Sequence, residues 1–188
     1  SGGVAYPPGS IFKIISAVAY LEEGLLDSDE KVYNPGYFRN QGLYPHYSLD
    51  DTAPPGDYDF VRAFKRSSNT YFIHYALTPD GRSDRWRQGK RVLLDWGNHF
   101  RLGQKTITSL PDGLASPLRE GGGYFPERGN ELKRKNQFGD EVPWAPGDVA
   151  NFCIGQGEIT VTPLQMAVMT SAVANGGKVL QPRLVTHV

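Results

Sequence analysis

The chain has 188 residues, which suits one domain or part of a larger one. Its 20 Lys and Arg balance 20 Asp and Glu, and that neutrality argues against a nucleic-acid binder, which carries a basic surplus. No apolar run approaches the ~20 residues that span a bilayer, and the single cysteine excludes an internal disulfide framework. An apolar content of 39% supports a core, while 22 Gly and 14 Pro imply many loops. Ser1-Gly2-Gly3 reads as an expression scar or a cut edge rather than a signal peptide.

The first predicted helix runs from near Ser10 to Gly24, a C′ glycine. Ile14, Ala17, Val18 and Leu21 form an apolar stripe, widened by Ile11, Phe12, Ile15 and Ala19. A helix apolar nearly all round is a buried one. From Leu25 to Gly56 the turn signals Asn34-Pro35-Gly36 and Ala53-Pro54-Pro55-Gly56 predict loops with one short strand. A second helix is expected over Tyr58–Arg66 and a third over Thr70–Leu77, stopped by Thr78-Pro79-Asp80-Gly81. Arg85–Trp96 reads as an amphipathic helix whose basic side is a solvated face.

Gly97–Gly147 reads as loop-rich, and Lys133-Arg134-Lys135 within it as a solvent-exposed tract. Cys153 lies in an apolar context and reads as a core residue. The last helix is the best specified. Thr162 is its N-cap, Pro163 its first residue, Gln165 completes a capping box, and Asn175-Gly176-Gly177 stops it. Lys178–Gln181 is expected to begin a strand. No cluster has metal-ligand spacing, and His46, His74, His99 and His187 are scattered.

Two motifs carry candidate chemistry. Ser10-Ile11-Phe12-Lys13 places a serine and a lysine three residues apart, on one face at the mouth of an apolar helix. A lysine held neutral by burial can take the serine's proton. The spacing alone is weak, since Ser28-Asp29-Glu30-Lys31 repeats it in a polar loop with two intervening acids. The second motif, Ser67-Ser68-Asn69, sits at a helix junction, where such residues often serve only as caps.

Together the motifs are more specific. Tyr6-Pro7-Pro8-Gly9-Ser10-x-x-Lys13, followed about 55 residues on by Ser67-x-Asn69, resembles the transpeptidase domain of class B penicillin-binding proteins. Ser68-Asn69-Thr70-Tyr71-Phe72 is similar to the cell-elongation subgroup, penicillin-binding protein 2. Ile154-Gly155-Gln156-Gly157 leading into Val161-Thr162-Pro163-Leu164-Gln165 is similar to the family's segment between its second and third motifs. The resemblance runs from Tyr6 to about Pro182. The third motif, Lys-Thr-Gly, is absent; Lys105-Thr106-Ile107 lacks the glycine and lies too early. Residues 1–188 are therefore read as one incomplete transpeptidase domain.

The resemblance implies an α+β fold, mostly its helical part with an incomplete antiparallel sheet. It implies that Ser10 attacks the penultimate D-Ala carbonyl of a peptidoglycan stem peptide, that Lys13 is the base, that Ser67 shuttles the proton and that Asn69 binds a substrate amide. An amine from a second stem peptide then resolves the acyl-serine, and beta-lactam antibiotics acylate the same residue. No cofactor or metal is implied. In the full-length protein the family's partners are a SEDS-family glycan polymerase and other elongation-complex proteins, at the bacterial inner membrane with the catalytic domain facing the periplasm. The rival readings are a serine beta-lactamase or beta-lactam sensor, and a non-catalytic interaction domain with a vestigial site.

Overall fold

The computed structural model describes residues 4–39, 48–77, 86–106, 122–127 and 132–182. A 3-10 turn, Gly9–Phe12, leads into helix α1 (Lys13–Glu22), and Gly24 at φ 63° ends it as the expected left-handed glycine. Next come β1 (Val32–Asn34), β2 (Tyr37–Arg39), β3 (Ser48–Asp50) and β4 (Gly56–Tyr58). Helices α2 (Phe60–Arg66), α3 (Asn69–Leu77) and α4 (Trp86–His99) follow. Then come β5 (Lys133–Lys135), β6 (Glu141–Pro143), α5 (Pro146–Cys153) and α6 (Pro163–Ala174).

The architecture is α+β, with the helices forming the body. Helix α3 lies at its centre, packed against α1, α4 and α5. All its residues from Thr70 to Leu77 are buried except the half-buried His74. Gly89 lets α4 approach α3 closely, since a Cβ there would sit 2.1 Å from the Ala76 carbonyl oxygen. Tyr20, Tyr71, Phe72 and Tyr75 fill the space between α1 and α3, and Phe12, Phe125, Trp144 and Phe152 form a second aromatic cluster.

Several expectations need correction. The stretch read as loop with one strand holds two antiparallel pairs, β1–β4 and β2–β3, with Val32 opposite Tyr58 and Tyr37 opposite Asp50. Three-residue strands show too little alternation to be legible. The Gly97–Gly147 segment contains the β5–β6 hairpin, Lys133 opposite Pro143, and in the Lys133-Arg134-Lys135 tract the two lysines are exposed while Arg134 is half-buried. Arg134 pairs with Asp148 at 2.9 Å. Lys178–Gln181 forms no strand. Over the 3-10 turn and α1 the fully buried apolar residues are Phe12, Ile15, Ala19 and Tyr20, whereas Ile11 and Leu21 are 49% and 41% exposed. The helix is therefore covered on its α3 side and open along Ile11 and Leu21.

Local signals explain the helices that were foreseen. Thr162 N–H donates to Gln165 Oε1 at 2.9 Å and Gln165 N–H to Thr162 Oγ1 at 3.2 Å, the expected capping box. Asp59, rather than Tyr58, starts α2, its Oδ1 accepting from Arg62 N–H at 2.8 Å. Helix α5 was missed, although Ala145-Pro146-x-Asp148 marks its start: Ala145 N–H donates to Asp148 Oδ2 at 2.7 Å.

Candidate active site

Ser10 sits exposed in the 3-10 turn, and Lys13 opens α1. At three residues per turn, positions i and i+3 stack on one face, so the turn places both residues on one side of the chain. The turn is pinned from behind. Gly9 N–H donates to the Gly155 carbonyl at 2.9 Å, Tyr6 pairs with Val161, and Ser16 Oγ donates to the Cys153 carbonyl at 2.7 Å. Gly155, at φ 76°, lies so close that a Cβ would stand 2.0 Å from the Gly9 carbonyl oxygen. The Gly-Gln-Gly segment thus forms the rear wall of the Ser10 turn.

Lys13 is only 3% exposed. Its ammonium nitrogen donates to the Ser67 carbonyl oxygen at 2.6 Å, to Ser67 Oγ at 3.0 Å and to Asn69 Oδ1 at 2.7 Å. Contacts between residues 54 and 56 positions apart join the two motifs into one cluster. Among the described residues the side-chain hydrogen bonds of Lys13 run to Ser67 and Asn69, not to the Ser10 hydroxyl.

Ser67 caps the C-terminus of α2 in the left-handed region, φ 55° and ψ 40°. A side-chain-bearing residue there costs about 1–3 kcal/mol and persists only where its surroundings over-determine it. The twist aims both its carbonyl and its hydroxyl at Lys13. Ser68, between the two site residues, is fully buried and caps α3, its Oγ accepting from Tyr71 N–H at 3.3 Å. Asn69 is held by its Nδ2 donating to the Asp50 carbonyl at 3.2 Å.

Burial lowers the Lys13 pKa from 10.5 to about 8, against the opposing pull of Cys153 and Asp51. A neutral amine is therefore accessible near physiological pH. It keeps two N–H donors, enough for the Ser67 carbonyl and Asn69 Oδ1, which can only accept. Its lone pair is then free to take a proton from a hydroxyl, that of Ser67 or a neighbouring serine. The look-alike pair differs in kind, because both Ser28 and Lys31 are exposed.

Cys153 is fully buried beneath this cluster, and burial pushes its thiol up to about 12. It is an inert core thiol, as expected. His74 meets the Tyr75 ring edge-on, and burial lowers its pKa; His46 and His187 lie outside the described residues. No group of three or more His, Cys, Asp or Glu suited to a metal occurs among the described residues. No described helix is long and apolar enough to cross a membrane. Sequence reasoning missed Asp51, whose carboxylate binds the Ser67–Thr70 turn. The Asp51-Thr52-Ala53 Asx turn, with Ala53 N–H on Asp51 Oδ1 at 3.0 Å, was its only local signal.

The fold thus brings the two sequence motifs into one cluster, with the Ser67–Asn69 turn bonded to the buried Lys13 and Ser10 in the turn that precedes it. The family model "Penicillin binding protein transpeptidase domain" matches residues 4–188, and the chain belongs to that family. Within it the chain resembles class B proteins of the elongation type. It is 31% identical over 180 residues to peptidoglycan D,D-transpeptidase MrdA of Haemophilus influenzae, covering 96% of this chain and 24% of that protein. It is 30% identical to MrdA of Acinetobacter baumannii over 97% of this chain and 24% of that protein. Crystallised PBP2 of Pseudomonas aeruginosa superposes with a TM-score of 0.71 at 30% identity, over 95% of this chain and 36% of that one. The chain thus spans about a quarter of the length of the MrdA proteins it matches.

Proposed function

We propose that this chain carries the acylation centre of a peptidoglycan D,D-transpeptidase. Ser10 is the nucleophile, Lys13 in its neutral form is the base, Ser67 relays the proton to the leaving amine, and Asn69 binds a substrate amide. The observation behind this reading is the buried Lys13 amine bonded to both Ser67 and Asn69. In the acylation half-reaction Ser10 Oγ bonds to the penultimate D-Ala carbonyl carbon, and the bond to the terminal D-Ala nitrogen breaks. The proton from Ser10 passes through Lys13 and Ser67 to that nitrogen. The acyl-serine is then attacked by an amine of a second stem peptide, which regenerates Ser10 and forms the cross-link.

The oxyanion needs two donors, each worth about 3–4 kcal/mol. Ser10 N–H is one, and the second belongs on a Lys-[Ser/Thr]-Gly strand expected to follow residue 188. On this reading residues 1–188 are one incomplete transpeptidase domain. It works at the inner membrane with the site facing the periplasm, beside a SEDS-family polymerase and other elongation proteins. Beta-lactams acylate Ser10. The test is fluorescent-penicillin labelling of the full-length gene product followed by a denaturing gel. One label per chain, abolished by Ser10→Ala, supports the proposal; equal labelling of the variant sinks it. Rapid turnover of a chromogenic cephalosporin would instead favour a beta-lactamase.

A further inference from the structure

Asp51, in the Pro-rich segment after β3, has no place in the acylation scheme, yet its side chain takes more hydrogen bonds among the described residues than the side chain of any of the four proposed site residues. Its Oδ2 accepts from Ser68 Oγ at 2.8 Å, Thr70 N–H at 2.7 Å and Asn34 Nδ2 at 3.0 Å. Its Oδ1 accepts from Ala53 N–H at 3.0 Å. The preceding carbonyl, that of Asp50, accepts from Asn69 Nδ2. Residues 50 and 51 therefore grip Ser68, Asn69 and Thr70, every residue of the turn that follows the left-handed Ser67.

This bonding meets a structural need. The strain at Ser67 must be offset by its surroundings, and within the turn only the Ser68 and Thr70 groups are buried enough to be costly if left unpaired. A carboxylate accepting several bonds at once is a stronger anchor than any neutral acceptor. Burial pushes the Asp51 carboxyl up, but the bonds from Thr70, Ala53, Ser68 and Asn69 outweigh it and hold the group below its ordinary value. It is thus charged throughout the working pH range.

We propose that Asp51 is a positioning residue for the acylation centre: it fixes the Ser67–Asn69 turn against Lys13 and supplies a negative charge that faces the Lys13 amine. The proposal rests on the transpeptidase reading. The titratable groups that face Lys13 among the described residues are Asp51, from the segment after β3, and Cys153, from α5. Its other neighbours, Ser67, Asn69 and the Phe72 ring 5.8 Å away, carry no charge. Cys153 stays neutral at working pH, so Asp51 is the anion that keeps Lys13 more basic than burial alone would.

The test is the penicillin acylation rate of the full-length gene product against pH, for wild type, Asp51→Asn, Ser68→Ala and Ser10→Ala. Asp51→Asn is expected to lower the plateau rate about tenfold, the cost of one charged anchor. It should also move the acidic limb to lower pH, because a lysine that loses a facing anion deprotonates more easily. Ser68→Ala, which keeps the charge, should lower the rate without moving the limb. A merely structural Asp51 would leave the limb in place, so an unmoved limb or a plateau within about twofold of wild type overturns the proposal. Should Asp51→Asn not fold, Ser68→Ala decides, and a wild-type rate there overturns it. Labelling of Ser10→Ala would instead sink the transpeptidase reading itself.

Discussion

Replacing Lys13 with methionine separates what the buried amine does for chemistry from what it costs the fold. In the unfolded chain Lys13 titrates near 10.5, and burial lowers this to about 8 in the folded state. Below pH 8 the lysine is protonated in both states, and the folded protein bears the difference in full. Lowering from 10.5 to about 8 is worth about 3 kcal/mol at 1.36 kcal/mol per pH unit. Between pH 8 and 10.5 the unfolded state holds more protons than the folded one, so stability rises with pH through that window and levels off above it. A methionine has no such dependence. The stability of wild type minus that of Lys13→Met should therefore increase by up to about 3 kcal/mol between pH 7 and pH 10.5. Urea denaturation of both proteins across this range measures it, and groups that titrate in both cancel. A difference flat with pH would refute the argument that the folded core holds this amine at reduced basicity.

Four further outcomes follow from named contacts. Acylation of the full-length gene product should rise with pH along a limb near 8, where Lys13 loses its proton; a rate already flat from pH 6 to 9 would remove Lys13 as the base. Ser67→Gly relieves the left-handed strain, so thermal stability should hold or rise by about 1 kcal/mol while acylation falls; parallel loss of both would contradict the strain assignment. Gly155→Ala drives a methyl into the Gly9 carbonyl and should cost both stability and labelling, whereas Thr162→Ala loses only a cap, about 1 kcal/mol, and should label normally. The 188-residue chain alone, which has no Lys-Thr-Gly, should label far more slowly than the full-length gene product; equal stoichiometry and rate would mean that the second oxyanion donor lies within these residues.

What could be read from the sequence was whatever rests on local chemistry. The capping box at Thr162, the glycine stop at Gly24 and the helical period of α3 and α4 depend on residues a few positions apart. Residues 10, 13, 67 and 69 were legible as two short motifs, and the resemblance joined them before any distance was known. The illegible parts depend on pairings across the chain. Strands of three residues have no period to detect. Asp51 acts on Ser68 and Thr70 from 17 and 19 positions away, and nothing in Asp51-Thr52-Ala53 beyond a turn signal points to them. The sense of the Ser10–Lys13 pair also shifted, since Lys13 bonds forward to Ser67 and Asn69 while Ser10 remains an exposed hydroxyl beside it.

The most direct test of the central claim is to locate the adduct. The full-length gene product is treated with penicillin and digested with trypsin, and the modified peptide is sequenced by mass spectrometry. Cleavage after Lys13 and Lys31 puts Ser10 and Ser28 on different peptides. The penicilloyl group is expected on Ser10, in the peptide ending at Lys13. Modification of any other residue, or an unmodified Ser10 in protein that has bound the drug, would contradict the account.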